Sequence, residues 1–269
     1  MGELLDKFER ASKGTVQSLG FGAAAKREKV APILLLGIAA GGDEASVKLA
    51  VDAGIDALIV AGGKGVKGVK GVKKADIAKS VKEAKGLTVG VSQDEATEKD
   101  AAGADFQLFS ALSTPIGALG GEERTNLMRV DLDLEDSLLH TLDYLPVDVF
   151  LVSLADAGKL TVSQLMRLAR VRGVTTRWLL VHLAILPTKK ELEQLREAGI
   201  SGVVVDLAGR TVDELKGCVA TLLELPHELP ERNKHKRVAM LPSAGLQQAA
   251  PARRPEPEPE PDPDDWDDD

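Results

Sequence analysis

Two side chains near the ends of apolar segments have the residue types of an acid–base pair. His182 lies in RWLLVHLAI (177–185), and Asp206 lies in AGISGVVVDLAG (198–209). If both segments are parallel strands, their carboxyl ends meet, and a carboxylate beside an imidazole there could act as a general-base pair. The alternative is a core histidine whose polar atoms are satisfied within the fold. The sequence alone leaves both interpretations open.

A Gly-Val-Lys tripeptide, written three times in AGGKGVKGVKGVKKAD (61–76), is a second candidate. The stretch departs from a P-loop because Gly65, rather than Ser or Thr, follows Gly63-Lys64. Repeat slippage in a solvated loop is the simpler explanation. The competing hypothesis is an anion site, and it uses four lysines: Lys64, Lys67, Lys70 and Lys73.

Three acidic residues at alternate positions, Asp131, Asp133 and Glu135, could hold a divalent metal if they extend a strand. The preferred interpretation is a helix start, because acids suit the first turn of a helix and SLLHTL follows. No metal site is therefore predicted. The sequence also has no HExxH motif or Cys/His cluster, which argues against zinc.

Other nucleophiles have weaker support. Ser110 and Ser153 end apolar segments but lack the strand–elbow–helix motif of a hydrolase. No lysine ends a strand, which disfavours a Schiff-base aldolase. The single cysteine, Cys218, falls in a helical pattern and is expected to fill the core. The sequence does not identify a cofactor.

Composition divides the chain into a near-neutral body and an acidic tail. The 269 residues carry a net charge of −8, and residues 251–269 hold nine acids against two arginines, so residues 1–250 carry only −1. Such a body argues against a nucleic-acid partner. No apolar run is long enough to span a membrane, the start of the chain does not read as a signal peptide, and a single cysteine suits a reducing compartment. We therefore expect a cytoplasmic protein.

Hydrophobic periodicity stops near residue 226. The segment PARRPEPEPEPDPDDWDDD (251–269) alternates proline with acids and cannot bury enough apolar surface to order itself. Two parts are therefore predicted, a folded domain over 1–225 and a disordered tail over 226–269. The tail resembles, in charge and in its single aromatic residue, the acidic tips by which some bacterial proteins dock on partners. Trp266 would be the anchor for a protein partner.

Buried strands alternate with amphipathic helices through the body, which indicates a parallel sheet covered by helices. Eight such units predict a (β/α)8 TIM-type barrel, and an open doubly wound parallel sheet is the alternative. Thr161, Thr188 and Thr211 are predicted helix N-caps, and residues 2–12 an extra helix over the barrel floor. A short fourth helix is expected within 111–126. The predicted strands are 33–39, 57–61, 87–91, 105–109, 129–133, 148–153, 177–183 and 202–207.

The stretch TKKELEQLREAGISGVVVDLAG (188–209) resembles the phosphate-binding (β/α)8 barrels, a superfamily that includes flavin-dependent oxidoreductases and several synthases. The resemblance implies a phosphate held by Gly-rich turns after the seventh and eighth strands, at a helix N-terminus. Gly209 keeps one such glycine and is the candidate ligand-binding residue there. The seventh strand, however, ends in HLAILPT without glycine, and Asp206 would repel phosphate.

Two functions are consistent with these observations. The first is a degenerate barrel that serves as a scaffold or adaptor, because the phosphate glycines and strand-end lysines are missing. The alternative is an enzyme or binder that holds a small anionic ligand at the C-terminal face of the barrel, where barrel active sites lie.

Overall fold

The structure is a computed structural model that describes residues 2–14, 29–40, 44–61, 86–92, 103–119, 124–155 and 158–228. The chain divides into two units, Met1–Leu229 and Pro230–Asp269, and the second lies wholly outside the described residues. The disordered tail and its Trp266 anchor therefore stay predictions. In the part of the chain that the structure describes, no helix is long and apolar enough to cross a membrane.

Eight parallel strands form a closed barrel in sequence order, with β8 hydrogen-bonded to β1. This confirms the predicted (β/α)8 barrel, and the open-sheet alternative is wrong. The strands alternate inward and outward side chains, and both faces are apolar, so the sheet is covered inside and outside. The strands are β1 (Leu34–Ala40), β2 (Ala57–Ala61), β3 (Thr88–Ser92), β4 (Phe106–Ser110), β5 (Thr125–Val130), β6 (Val149–Leu154), β7 (Trp178–Leu183) and β8 (Gly202–Asp206).

Six α-helices occur within the described ranges. Thr161, Thr188 and Thr211 cap three of them, each with a complete capping box, as predicted. The helices are α1 (Glu3–Lys13), α2 (Glu44–Ala53), α3 (Asp136–Leu139), α4 (Val162–Val174), α5 (Lys189–Glu197) and α6 (Val212–Leu223).

The fifth strand is displaced from its prediction. It was expected over 129–133 but spans Thr125–Val130. Asn126 lies inside this buried strand, where its side chain accepts a hydrogen bond from Gln107 (2.8 Å) and donates to the Pro146 carbonyl (3.3 Å). A buried polar side chain with partners costs little, and those partners are invisible in the sequence. In the neighbouring stretch, the short fourth helix is a 3₁₀ segment, Ile116–Ala118.

Two apolar clusters hold the barrel. One lies between the strands and the outer helices, and the other fills the barrel interior. Helix α1 belongs to the inner cluster, because Leu4, Phe8 and Ala11 are buried against inward-facing strand residues. The Phe8 ring stacks on Trp178 with centroids 5.3 Å apart. Helix α1 therefore closes the N-terminal end of the barrel.

A repeated aspartate joins the strands in pairs at that end. The residue just before β2, β4 and β6 is Asp56, Asp105 or Asp148, and its carboxylate accepts a backbone N–H from the preceding strand at 2.8 Å each time. The donors are Leu35, Val89 and Asn126. Ser201 takes the corresponding place before β8. The chain thus repeats one two-strand unit four times, with three aspartate clamps.

The C-terminal limit of the packed domain lies past the predicted boundary at 225. His227 Nε2 donates to the Val30 carbonyl at 2.7 Å, and Arg196 donates to the carbonyl of His227. Residues 226–228 therefore still contact the barrel. The division into a folded domain and a tail stays a prediction, because residues 229–269 lie outside the described ranges.

Candidate functional site

Eight inward-facing residues line the C-terminal mouth of the barrel. They follow the period of two that puts Leu34, Leu36 and Ile38 on the inner face of β1. The strand registers place them opposite one another in four neighbouring pairs. These eight residues, here called the mouth ring, are paired as Ile38 with Asp206, Ala61 with Ser92, Ser110 with Arg129, and Ser153 with His182.

The level below the mouth ring is entirely apolar and closed. Its seven side chains are at most 1% exposed: Leu36, Ile59, Leu108, Leu127, Leu151, Leu180 and Val204. The eighth position is Gly90, where an added Cβ would lie 2.1 Å from the Phe106 ring, so that ring fills the space. The mouth is therefore lined mainly by polar side chains and closed below by apolar ones, so the barrel is not a pore.

His182 and Asp206 lie next to each other in the mouth ring, as the sequence suggested. Nε2 of His182 lies 3.3 Å from Oδ1 of Asp206, and the side chains are 14% and 47% exposed. The ring is thus held by the wall while the carboxylate reaches solvent. The two atoms are close enough for an ion pair but are not aligned for a hydrogen bond.

The contact changes the acidity of the carboxyl group. Interaction with His182 lowers the pKa of Asp206, and Arg210 lowers it further, while partial burial acts in the opposite direction. Asp206 is therefore ionised at neutral pH. Of the two tautomers of a neutral imidazole, a carboxylate beside Nε2 favours the one with its proton on that nitrogen and its lone pair on Nδ1.

Ser153 lies on the other side of the ring. Its Oγ is 3.4 Å from Nδ1 of His182, and the side chain is exposed to the mouth. The backbone N–H of Ala155 donates to the same oxygen at 3.4 Å. A chain of contacts thus runs from Asp206 through His182 to Ser153, across the ends of three adjacent strands.

Arg129 is the mouth residue that sequence reasoning missed. It shares the inner face of β5 with Leu127 and is exposed, next to Ser110 on β4. The predicted strand 129–133 put Arg129 at the bottom end of the barrel. Correct bounds for β5, with strict alternation, would have placed it in the mouth.

The helix ends after β7 and β8 are already occupied. Thr188 and Glu191 satisfy the start of α5, and Thr211 and Glu214 satisfy the start of α6. Each end thus carries its own carboxylate, which disfavours a second anion there. Arg210 joins the two loops by donating to the Ala184 carbonyl.

Gly209 lies in the turn after β8 with φ +73°, a conformation that favours glycine. A Cβ there would meet nothing within 4 Å, so the geometry reflects the turn itself. The role of Gly209 in ligand binding stays a prediction.

The remaining candidates fall outside the mouth ring or outside the described residues. Lys64, Lys67, Lys70 and Lys73 lie in the undescribed stretch 62–85. β5 ends at Val130, so Asp131, Asp133 and Glu135 do not share a strand face, and α3 begins at Asp136 as the helix-start interpretation required. Among described residues no group of three or more His, Cys, Asp or Glu could hold a metal. Cys218 is buried, and burial raises the pKa of its thiol to about 11, so it packs rather than reacts.

Comparisons with known proteins support the fold. No protein-family model and no curated protein sequence matches the chain. Solved structures resemble it, and three examples each cover 71% of its length. Tryptophan synthase from M. tuberculosis, in the open form with BRD0059 bound, has a TM-score of 0.52 at 14% identity over 91% of that chain. The tryptophan synthase complex from Pyrococcus furiosus has a TM-score of 0.54 at 14% identity over 98% of that chain. Thiamine phosphate pyrophosphorylase from Pyrococcus furiosus has a TM-score of 0.53 at 13% identity over 96% of that chain. At these identities the likeness shows the TIM-type barrel fold alone.

Proposed function

We propose that the barrel binds a small carboxylate in the mouth ring and transfers a proton through His182. The observation that carries the proposal is the 3.3 Å contact between His182 and Asp206 on the inner face of the mouth. An imidazole fixed beside a carboxylate, above a closed apolar floor, is suited to general acid–base chemistry. This is the enzyme-or-binder alternative of the sequence analysis, narrowed to one ligand class.

Arg129 supports a carboxylate as the ligand group. A guanidinium recognises a carboxylate through two parallel hydrogen bonds, and this side chain is exposed in the mouth. β5 and β7 are two strands apart, so Arg129 and His182 are separated by about 10 Å along the wall. A ligand of a few carbon atoms fits between them. Phosphate is disfavoured because Glu191 and Glu214 already occupy the starts of the helices after β7 and β8, and the carboxylate of Asp206 ends β8.

The proton moves on the Nδ1 side of the ring. Asp206 favours a proton on Nε2, so Nδ1 is the basic nitrogen that faces the mouth and Ser153. When Nδ1 accepts a proton, the nearby carboxylate stabilises the imidazolium that forms. His182 is thus the proposed general base, and Asp206 is the group that orients and stabilises it.

Titration with malonate tests both binding and proton transfer. Protein with ¹³C-labelled histidine is titrated with malonate in D₂O, and the His182 ring signal and the malonate methylene signal are followed by NMR. We expect a saturable shift of the His182 signal and faster deuteration of malonate than in buffer. His182→Asn should return deuteration to the buffer rate.

Matched arginine variants identify the anchor. Arg129→Gln should abolish the saturable shift, while Arg167→Gln should leave it unchanged, because Arg167 lies on α4 and pairs with Asp133 at 3.2 Å. Inorganic phosphate should give no saturable shift in any variant. A His182 signal that ignores malonate, or an equal loss of binding in both arginine variants, would contradict the proposal.

A scaffold or adaptor is the second candidate. The observation that favours it is that both helix ends after β7 and β8 are occupied by their own Thr and Glu side chains. On this hypothesis the predicted tail around Trp266 binds a protein partner and the mouth has no ligand. Proteins retained by the full chain but lost after truncation at residue 228, with no effect of Arg129→Gln, would favour the scaffold.

A cytoplasmic location is part of the same proposal. Its support is the single cysteine of the chain, Cys218, which is buried and stays protonated at neutral pH. A reducing compartment suits a protein without disulfides. Fractionation of the source cell, with the protein detected by antibody, tests it.

A further inference from the structure

We propose that Ser153 is a nucleophile, and that the mouth hydrolyses a small ester bearing a carboxylate. Nothing in the sequence motif suggests this, because Ser153 ends a plain strand and not a nucleophile elbow. The inference comes from geometry: Asp206, His182 and Ser153 form a Ser–His–Asp relay across β8, β7 and β6. It deepens the proposed function by using the same base for acyl transfer.

The relay has the connectivity that nucleophilic catalysis requires. Ser153 and His182 are register partners on adjacent strands, so their Oγ and Nδ1 atoms, 3.4 Å apart, are set by the sheet itself. Nε2 of the same ring is 3.3 Å from Asp206. Relays are recognised by the roles of their members, and such contacts are often looser before substrate binds. Sites on strands are also held more rigidly than sites on loops.

Each proton and electron pair has a destination in this relay. Nδ1 of His182 takes the proton from Oγ as Oγ bonds to the ester carbon, and the carbonyl electrons move to oxygen. Collapse of that intermediate breaks the bond to the alcohol, which leaves with the proton from Nδ1. Water then attacks the acyl-serine, giving a proton to Nδ1 that returns to Oγ as the acid departs. Asp206 stabilises the charged ring in both halves.

Two further groups define the substrate. The Ala155 N–H donates to Oγ of Ser153 at 3.4 Å, so a backbone donor lies beside the oxygen that attacks the ester carbon. Arg129, on the next strand but one to His182, would hold a carboxylate elsewhere in the same molecule. The closed floor below the mouth ring limits the substrate to a small molecule.

Labelling with a fluorophosphonate tests the nucleophile directly. The full-length protein is treated with a fluorophosphonate, and the modified residue is located by mass spectrometry. We expect an adduct on Ser153 that is absent in Ser153→Ala. His182→Asn should slow labelling at least about 100-fold, the usual contribution of a general base. Ser137→Ala, a change at an exposed serine on α3, should label as the wild type does.

The same variants separate this inference from the proposed function. Arg129→Gln should lose malonate binding yet keep labelling, because the probe has no carboxylate, and Ser153→Ala should do the reverse. Circular dichroism verifies that each variant is folded. A folded wild type without an adduct on Ser153, or labelling of Ser153 that is equally fast in His182→Asn, overturns the inference. Loss of malonate binding alone would bear only on the proposed function.

Discussion

At the scale of single residues, the mouth ring is distinguished by the positions of its polar side chains. A histidine in an apolar strand often lies in the core with its ring nitrogens hydrogen-bonded, and the His182 side chain is indeed mostly buried, at 14% exposure. It differs from a core histidine because both ring nitrogens face ionisable or hydroxyl groups at the open end of the barrel. The carboxylate that faces it should also give the free energy of unfolding a characteristic dependence on pH.

The difference in stability between Asp206→Asn and the wild type should depend on pH. The pKa of Asp206 is lowered in the folded state, so its contribution is complete above the unfolded pKa and is lost as pH falls through the folded pKa. We expect the variant to be less stable than the wild type at pH 7, by less than about 1 kcal/mol because the carboxylate is half exposed. The difference should close below about pH 4. Urea unfolding at several pH values measures it.

Asp131→Asn serves as the matched control, because Asp131 is exposed after the end of β5. It removes a carboxylate at an exposed position and should change the free energy of unfolding little. A difference for Asp206→Asn that stays constant from pH 7 to pH 3 would mean that the charge contact with His182 contributes nothing.

At the scale of strands and helices, periodicity predicted most of the fold and only half of the mouth. Eight apolar segments and their caps follow from local pattern, so the barrel and the meeting of His182 with Asp206 were predictable. Arg129 was not, because the position of β5 depends on Asn126 finding partners on other strands. The boundary error of four residues moved Arg129 from one end of the barrel to the other.

The aspartate clamps are another property of paired strands. Asp56 is partly buried, and burial raises the pKa of its carboxyl even though the Leu35 N–H and Lys7 act to lower it. A raised folded pKa means that this group favours folding at low pH, and that the contribution is lost as pH rises through the folded value. At neutral pH the ionisation of Asp56 therefore lowers the stability of the folded state, while its hydrogen bond from the Leu35 N–H on β1 raises it.

Asp56→Asn and Asp56→Ala separate the charge from the hydrogen bond. The amide oxygen of Asn can still accept from Leu35, so Asp56→Asn should be at least as stable as the wild type at pH 7, with any advantage gone below about pH 4. Asp56→Ala leaves the Leu35 N–H without its acceptor and should cost about 1–3 kcal/mol. Urea unfolding at both pH values makes the comparison.

Asp52→Asn provides the control, since Asp52 is exposed on α2 four residues earlier. It should change stability little at either pH. If Asp56→Asn proved as destabilising at pH 7 as Asp56→Ala, the charge of the clamp, including its attraction to Lys7, would be what stabilises this end of the barrel.

At the scale of the whole barrel, the two ends have opposite character. The mouth ring is polar and open, whereas the other end is closed by α1, with Phe8 stacked on Trp178. Between them, the level directly below the mouth ring is apolar and closed, with side chains at most 1% exposed. In barrels of this type the C-terminal face carries chemistry and the N-terminal face carries stability. The structure therefore predicts that stability and ligand binding can be changed independently.

Phe8→Leu tests this independence at the closed end. The smaller side chain loses the ring stack on Trp178 and leaves a void in the inner cluster, so unfolding in urea should shift to lower concentration; Phe8→Ala, which removes more, should cost about 3–5 kcal/mol. In a Trp266→Phe background, the emission of Trp178 should change with the loss of the stack. Malonate binding at His182 should match the wild type, because the apolar interior separates the two ends. Arg129→Gln should do the opposite, losing malonate binding in a protein that circular dichroism shows to be folded. Weaker malonate binding in folded Phe8→Leu, in proportion to its lost stability, would show that the mouth depends on the helix at the far end.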